Sequence, residues 1–212
     1  MQYIVIEGNI GAGKTTLAGM LANDTNSRLV LEQFADNPFL PKFYDDPERF
    51  SFPLELSFLA ERYKQLNTEI QSNSLFQPSV IADYFFMKSL IFAHNTLASD
   101  EFNLYRQIFE IIYSSIPKPD LYVFLHKPID GLLKNIKHRG RDYEQTITGE
   151  YLEKIQNGYF EFFKQHPDYK FLLIDTSNID FVENPLHYQL LKSEIFDKQH
   201  EKGIKRITFN VI

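Results

Sequence analysis

The chain has 212 residues, a net charge of −6 and no cysteine. The length suits one sizeable α/β domain, and the absence of cysteine excludes a disulfide framework and a thiolate nucleophile or metal site. The acidic balance argues against broad nucleic-acid binding, which requires basic surface.

The sequence predicts a single cytoplasmic domain over residues 1–212. No run of eighteen or more apolar residues occurs, so no membrane span is expected. A strand pattern begins at Tyr3, which leaves no room for a signal peptide. A chain without cysteine is also compatible with a reducing cytosol.

The first predicted strand, residues 3–6, leads into a glycine-rich turn. The turn reads Gly8-Asn9-Ile10-Gly11-Ala12-Gly13-Lys14-Thr15 and fits the phosphate-binding pattern G-x-x-x-x-G-K-[ST]. A helical pattern follows from Thr16, so backbone N–H groups and the helix dipole would face an anion. We expect the residues from Gly8 to Thr16 to bind ATP, with Lys14 on its terminal phosphates and the Thr15 hydroxyl on Mg²⁺.

Further strands and helices alternate along the rest of the chain. Short apolar runs of the kind buried in parallel sheets follow at residues 29–31, 80–82, 121–125 and 171–174. Helical patterns occupy residues 54–70, 101–115, 128–138 and 149–165. This alternation predicts an α/β fold, a three-layer sandwich of the P-loop NTPase type, with a five-stranded parallel sheet and helices on both faces. The alternating run at residues 204–212 also fits an extra edge strand.

Three of these strands end at a carboxylate, namely Glu32, Asp83 and Asp175. Ligands of parallel sheets bind beyond the carboxyl ends of the strands, so we expect Glu32 and Asp83 beside the P-loop. Phosphoryl transfer to a hydroxyl needs one carboxylate for the hydroxyl proton and an acidic residue for Mg²⁺. We assign the first role to Glu32 and the metal role to Asp83 together with Thr15. Asp175 is interpreted as structural or as close to the adenine.

A basic turn, Arg139-Gly140-Arg141, lies between two helical patterns. Guanidinium groups bind phosphate oxygens in a bidentate manner and remain charged. Because the same chain carries a P-loop, we interpret residues 138–146 as a lid. Arg139 and Arg141 would close over ATP and neutralise the transferring phosphoryl group.

The P-loop indicates a nucleoside triphosphate and leaves several functions open. The chain lacks an Asn-Lys-x-Asp guanine motif, and it is short for an ATP-driven machine. A kinase remains, and two alternatives stay beside it. A nucleoside monophosphate kinase, like thymidylate kinase, would need additional arginines for the acceptor phosphate. A nucleotide-binding module without phosphotransfer would bind ATP and turn nothing over.

Several motifs together make the chain resemble the deoxyribonucleoside kinases, from about residue 3 to about residue 182. The matching segments are residues 6–10, 44–52, 139–141, 144–145 and 150–155. The resemblance implies ATP- and Mg²⁺-dependent phosphorylation of a deoxyribonucleoside 5′-hydroxyl, as in nucleotide salvage. It also implies a homodimer formed through helices.

The resemblance further implies roles for matching residues. Glu32 falls at the general base, Tyr44 and Glu144 at the deoxyribose 3′-hydroxyl, Glu55 and Arg62 at the nucleobase, and Asp180 with Phe181 against the adenine of ATP. Among the many aromatic residues, Phe39, Tyr44 and Phe85 are the ones that we place near a bound base. The remaining aromatic residues are expected in the core.

Two departures from the family pattern concern the substrate. The family usually has glutamine at position 55, whereas an ionised Glu55 only accepts hydrogen bonds; it would suit a base edge rich in N–H donors, or pair with Arg62. The third strand of the family ends in an acidic residue, then Arg, then Ser, but this chain reads Asp83-Tyr84-Phe85. Asp83 aligns with either the acidic residue or the arginine; we take the first, because Mg²⁺ needs a carboxylate. Bacterial purine-type members of the family depart from this pattern similarly, so the resemblance implies a purine deoxynucleoside as substrate.

Overall fold

The computed structural model describes residues 2–33, 37–71 and 79–209, and it has an α/β architecture. The strands are β1 (Tyr3–Gly8), β2 (Arg28–Val30), β3 (Val80–Ala82), β4 (Leu121–His126), β5 (Lys170–Asp175) and β6 (Gly203–Thr208). They form one parallel sheet in the order β2-β3-β1-β4-β5-β6. The order places β1, which precedes the glycine-rich turn, near the centre of the sheet.

Helices connect the strands and cover both faces of the sheet. They are α1 (Lys14–Asp24), α2 (Leu40–Asp45), α3 (Pro47–Gln71), α4 (Lys88–Thr96), α5 (Ser99–Tyr113), α6 (Ile129–Arg139), α7 (Gly149–Gln165) and α8 (Pro185–Phe196). A short 3₁₀ turn, Asp142–Glu144, lies between α6 and α7. The sequence patterns did not identify α2, α4 or α8. Among the described residues, no helix has the length and apolar character that crossing a bilayer requires.

The core consists of two apolar clusters, one on each face of the sheet. Alternate residues of β1 separate between them, because successive side chains of a strand point to opposite faces. Tyr3 and Val5 pack with α3, α4, α5 and α7, whereas Ile4 and Ile6 pack with α1, α6 and α8. This burial on both faces explains why β1 reads as a continuous apolar run.

The sheet has six strands, so the prediction of five strands was one short. β6 pairs in parallel with β5 over six residues, from Gly203 opposite Lys170 to Thr208 opposite Asp175. It lies at the edge and is mostly exposed, which explains its weak alternating pattern. Residues 210–212, the end of the predicted edge run, lie outside the described residues.

Candidate active site

The glycine-rich turn joins β1 to α1 in a conformation that requires glycine. Gly11 and Gly13 have φ angles of 81° and 91°, in the left-handed region. A Cβ atom on Gly11 would lie 2.8 Å from the carbonyl oxygen of Leu132, and one on Gly13 would lie 3.0 Å from Cζ of Phe181. The turn therefore packs directly against α6 and against the segment after β5.

Polar contacts fix the turn from inside. The Asn9 side-chain amide donates to the carbonyl oxygen of Leu152 on α7 at 2.7 Å, and the Lys14 ammonium donates to the carbonyl oxygen of Asn9 at 2.9 Å. Burial lowers the pKa of Lys14 to about 8. The site thus holds this lysine against the loop, in a position where an incoming phosphate would replace the carbonyl contact and favour the charged form.

Thr15 and Asp83 meet at the carboxyl end of the sheet. The Thr15 hydroxyl donates to Oδ2 of Asp83 at 2.6 Å, and the backbone N–H of Glu32 donates to Oδ1 of the same carboxylate at 2.7 Å. A hydroxyl and a carboxylate oxygen at this separation fit the way in which proteins hold Mg²⁺, with few protein ligands and the rest from phosphates and water. The donor set therefore suits the metal.

The Glu32 carboxylate lies between two cationic side chains. Arg62 donates from its Nε to Oε1 at 2.9 Å and from its second amino group at 2.6 Å, and Lys88 donates to Oε2. Burial alone would raise the pKa of Glu32, but the charges of Lys88 and Arg62 outweigh it and lower the pKa to about 2. Glu32 is consequently ionised and held in one orientation.

The two arginines of the basic turn converge on Glu144. Gly140 ends α6 with a φ of 70°, and Arg139 and Arg141 flank it. Arg139 donates from Nε to Oε2 of Glu144 at 3.0 Å, and Arg141 donates to Oε1 at 3.1 Å. Since Glu144 is buried while the arginines are about one-third exposed, this carboxylate positions both guanidinium groups at the mouth of the site.

Two cavities flank the glycine-rich turn. The inner one lies between the sheet edge and helices α2, α3, α4 and α7. The outer one runs along the other side of the turn towards Asp180 and Phe181. The residues that line both are Gly11, Lys14, Thr15, Arg139 and Arg141. Any group that passes from one cavity to the other would therefore pass these backbone and cationic donors.

The inner cavity contains the side chains predicted to bind the sugar and base. Glu32, Tyr44, Glu55, Arg62, Asp83 and Glu144 all line it. Tyr44 stacks on Tyr143 of the segment predicted as a lid, with the ring centroids 5.8 Å apart. Glu55 does not pair with Arg62, which is occupied by Glu32 and by the Ser89 hydroxyl at 2.8 Å. The Glu55 carboxylate instead accepts from the Thr96 hydroxyl at 2.9 Å.

The two other aromatic residues expected near the base lie elsewhere. Phe85 is buried in the core, where its ring packs edge-on against Tyr122 at 5.1 Å between centroids. Phe39 caps the start of α2, and its ring centroid lies 5.8 Å from Lys42 Nζ. The cavity is lined on that side by Leu40, Phe43 and Tyr44.

In the outer cavity, Asp180 shapes the loop that faces the turn. Its Oδ1 accepts from the backbone N–H groups of Val182 and Glu183 at 3.1 and 2.9 Å. This turn places the buried Phe181 ring against Gly13. Asp175, in contrast, caps its own strand end by accepting from Ser177, which agrees with a structural role.

Lys88 is the main site residue that sequence reasoning missed. It is 8% exposed and supplies a positive charge that Tyr84 cannot. A signal was present, since Lys88 is the one formal charge between Asp83 and His94 in an otherwise mostly apolar stretch. A lone lysine in such a run requires a buried anionic partner, and Glu32 is that partner.

Comparison with known proteins agrees with this geometry. The profile of the deoxynucleoside kinase family matches residues 4–200. The chain belongs to the deoxynucleoside kinase family. Its activity is accordingly phosphoryl transfer to a deoxynucleoside, and a monophosphate kinase or a non-catalytic module is disfavoured. The P-loop and the family membership together support ATP as the phosphoryl donor.

Individual relatives share most of their length with this kinase. It is 38% identical to a deoxyguanosine kinase of Bacillus subtilis over 91% of this chain and 95% of the relative. It is 32% identical to a deoxyadenosine kinase of Lactobacillus acidophilus over 96% and 99% of the two chains. The solved deoxyadenosine kinase of M. mycoides with bound dATP superimposes with a TM-score of 0.79, at 24% identity, over 92% of this chain and 99% of that one. That structural likeness shows a shared fold.

Proposed function

We propose that the chain, as a single kinase domain over residues 1–212, transfers the γ-phosphoryl group of ATP to the 5′-hydroxyl of a purine deoxynucleoside. The observation that carries this proposal is the shared lining of the two cavities. ATP in the outer cavity and a nucleoside in the inner one would meet at Lys14 and the lid arginines. Glu32 lines the inner cavity on the acceptor side of that meeting point.

Glu32 acts on the acceptor hydroxyl in the proposed mechanism. Its carboxylate is ionised and oriented by Arg62 and Lys88, so it can accept the hydroxyl hydrogen bond and direct the oxygen towards phosphorus. A pKa of about 2 makes it a weak base. This suits a loose transition state, in which the hydroxyl proton is transferred late and positioning contributes most of the rate.

Lys14, Arg139 and Arg141 hold the transferring group. The lysine contacts the terminal phosphates from the P-loop, and the arginines turn from Glu144 towards the phosphoryl oxygens as the lid closes. Tyr44 and Glu144 would contact the 3′-hydroxyl of the sugar. Asp180 and Phe181 would lie against the adenine of ATP.

Thr15 and Asp83 would hold Mg²⁺, with Asp83 acting directly or through water. When bound, the ion neutralises charge on the β- and γ-phosphate oxygens. Asp83 also accepts from the Glu32 backbone N–H, so the same carboxylate would link the metal side of the site to the segment that carries Glu32.

Two observations support a purine as the base. The relatives at 38% and 32% identity are named for deoxyguanosine and deoxyadenosine, both purine nucleosides. The second observation is that Glu55 stands where the family usually has glutamine, because its ionised carboxylate would accept hydrogen bonds from a base edge rich in N–H donors.

A homodimer and a cytoplasmic location stay predictions. The apolar groove between α4, α5 and α7 suits a helical dimer interface. Light scattering after gel filtration would measure the oligomer.

A coupled ADP-release assay tests the function. Mg-ATP is offered with each of the four deoxynucleosides and with their monophosphates. We expect turnover on deoxyadenosine or deoxyguanosine. Turnover on a pyrimidine nucleoside alone would agree with deoxynucleoside kinase activity and contradict the purine preference. Turnover on monophosphates alone would contradict the assignment of the acceptor.

A further inference from the structure

Glu55 is a buried carboxylate with one side left unsatisfied. The residue is 3% exposed and lies on α3 in the wall of the inner cavity. Its Oε1 accepts from Thr96, whereas its Oε2 has no hydrogen-bond partner within the described part of the chain. A buried carboxylate oxygen without a partner loses its hydration without compensation and so destabilises the folded protein. A bound ligand that donates a hydrogen bond to this oxygen would account for its lack of a partner within the protein.

The chemistry of the carboxylate restricts which ligand can complete it. An ionised carboxylate offers acceptors only, while a glutamine amide offers one acceptor and one pair of donors. The Watson–Crick edge of guanine presents two adjacent donors, N1–H and the N2 amino group. The corresponding edge of adenine presents a donor, the N6 amino group, beside an acceptor, N1. The carboxylate is therefore complementary to guanine and the amide to adenine.

The charges around the cavity agree with this assignment. Arg62 lines the same cavity as Glu55 and carries five N–H donors, of which three bond Glu32 and Ser89 and the others can meet a base acceptor. Guanine carries an acceptor, O6, beside N1–H, whereas adenine carries a donor at that position. A guanine edge thus fits a cavity that has both a carboxylate and cationic donors, and an adenine edge leaves donors facing donors.

We infer that Glu55 selects a purine deoxynucleoside whose Watson–Crick edge has two adjacent N–H donors, as deoxyguanosine has, and rejects deoxyadenosine. This selection presupposes the kinase function proposed above. Glu55 acts as a specificity-determining residue that contacts the base, with Thr96 orienting its other oxygen. Each bidentate pair of this kind discriminates by roughly 10- to 100-fold in kcat/KM.

The unaltered protein provides the first test. Its kcat/KM is measured at pH 8 for deoxyguanosine, deoxyinosine and deoxyadenosine. We expect deoxyguanosine to exceed deoxyadenosine by roughly 10- to 100-fold. Deoxyinosine, which keeps N1–H and lacks the amino group, should fall between them, about 10-fold below deoxyguanosine. Equal or better use of deoxyadenosine overturns the inference, whatever any variant does.

The variant Glu55→Gln provides the second test. It should shift the ratio of kcat/KM for deoxyguanosine over deoxyadenosine by roughly 10- to 100-fold towards deoxyadenosine. Glu61→Gln, on the same helix and outside the cavity lining, loses the same charge and should leave the ratio unchanged. If the ratio of kcat/KM for deoxyguanosine over deoxyadenosine is unchanged in folded Glu55→Gln, the inference is wrong while the proposed kinase function stands. Absence of turnover on every nucleoside with the unaltered protein overturns the proposed function, and the inference with it.

Discussion

At the scale of single residues, the site contains two carboxylates whose environments separate their pKa values. Glu32 and Glu55 line one cavity, but Lys88 and Arg62 hold the pKa of Glu32 at about 2, while burial raises the pKa of Glu55 to about 7. A group ionised throughout the physiological range suits contact with the acceptor hydroxyl. A group that titrates near neutrality is sensitive to the hydrogen bonds that a base offers it.

Replacement of the proposed base tests the first of these roles. In Glu32→Gln, the amide cannot accept the hydroxyl proton, so we expect kcat to fall by at least ~10² while ATP still binds. Steady-state ADP release measures kcat, and calorimetry measures the ATP affinity. An unchanged kcat would remove Glu32 from this role.

The positive charge of Lys88, which pairs with Glu32, should support a high kcat. In Lys88→Met, Glu32 loses a charged partner, so we expect kcat to fall by roughly 10- to 100-fold, in line with about 1.5–3 kcal/mol for a hydrogen bond between charged groups. Lys88→Arg should recover part of that loss. Lys154→Met on α7, where the lysine is exposed and pairs with Glu150, is the matched control. Equal losses in Lys88→Met and Lys88→Arg would contradict this role.

The titration of Glu55 predicts opposite pH dependences for two substrates. Guanine needs the carboxylate, so kcat/KM for deoxyguanosine should rise as the pH increases through about 7; adenine needs the protonated acid, so kcat/KM for deoxyadenosine should fall. Lys14, with a pKa of about 8, affects both substrates alike, so their ratio isolates Glu55. A ratio independent of pH between 6 and 8 would contradict the prediction.

Arg62, Glu32 and the tyrosines that face Glu55 should not add a second titration to that ratio. Arg62 stays charged, Glu32 stays ionised because its pKa is about 2, and burial raises the pKa of the tyrosines above the usual range. Lys88 is paired with Glu32. The facing titratable groups are Glu32, Tyr44, Arg62, Lys88, Tyr105 and Tyr151.

At the scale of elements, the segment predicted as a lid carries two arginines that share one buried carboxylate, Glu144. α6 ends at Arg139, the 3₁₀ turn carries Glu144, and α7 begins at Gly149. In the proposed mechanism, a single anchor at Glu144 would let both guanidinium groups leave together when phosphate oxygens compete for them. The basic turn could be recognised in the sequence because Arg139-Gly140-Arg141 is contiguous, and its role as a lid stays a prediction. Its anchoring on Glu144 required the folded turn.

A conservative substitution of Arg139 in the predicted lid should lower kcat. In Arg139→Lys, the planar fork that donates two hydrogen bonds is replaced by a point charge, so we expect kcat to fall by at least ~10-fold. Lys137→Gln, an exposed basic residue in the same last turn of α6, should behave like the unaltered enzyme. A kcat unaffected by Arg139→Lys would argue against contact with the transferring group.

At the scale of the whole molecule, ligand binding should stabilise the fold through the P-loop. ATP at about 100 times its Kd adds about 2.7 kcal/mol, which for a chain of this length raises Tm by roughly 5–10 °C. Lys14→Ala should lose most of that shift. Differential scanning fluorimetry with and without Mg-ATP measures it. Equal shifts in the two proteins would place ATP elsewhere.

The glycine-rich turn and the sheet that carries it were determined by the sequence itself. The turn from Gly8 to Thr15 is contiguous, and its glycines, lysine and flanking apolar runs are each a local property. Strands buried on both faces, such as β1, also read directly as apolar runs. β6 was weaker, because an edge strand buries little and its pattern resembles a loop.

Only the tertiary structure decided what surrounds the two carboxylates. Arg62 lies 30 residues from Glu32 in the chain, Lys88 lies 56 residues from it, and Thr96 lies 41 residues from Glu55. These pairs form because α3 and α4 pack together beside the sheet edge, and a pattern within one segment does not specify such packing. The pKa of a buried carboxylate depends on these partners. Glu32 and Glu55 could therefore be selected as site residues from the sequence, but only the fold sets the pKa of Glu32 at about 2 and that of Glu55 at about 7.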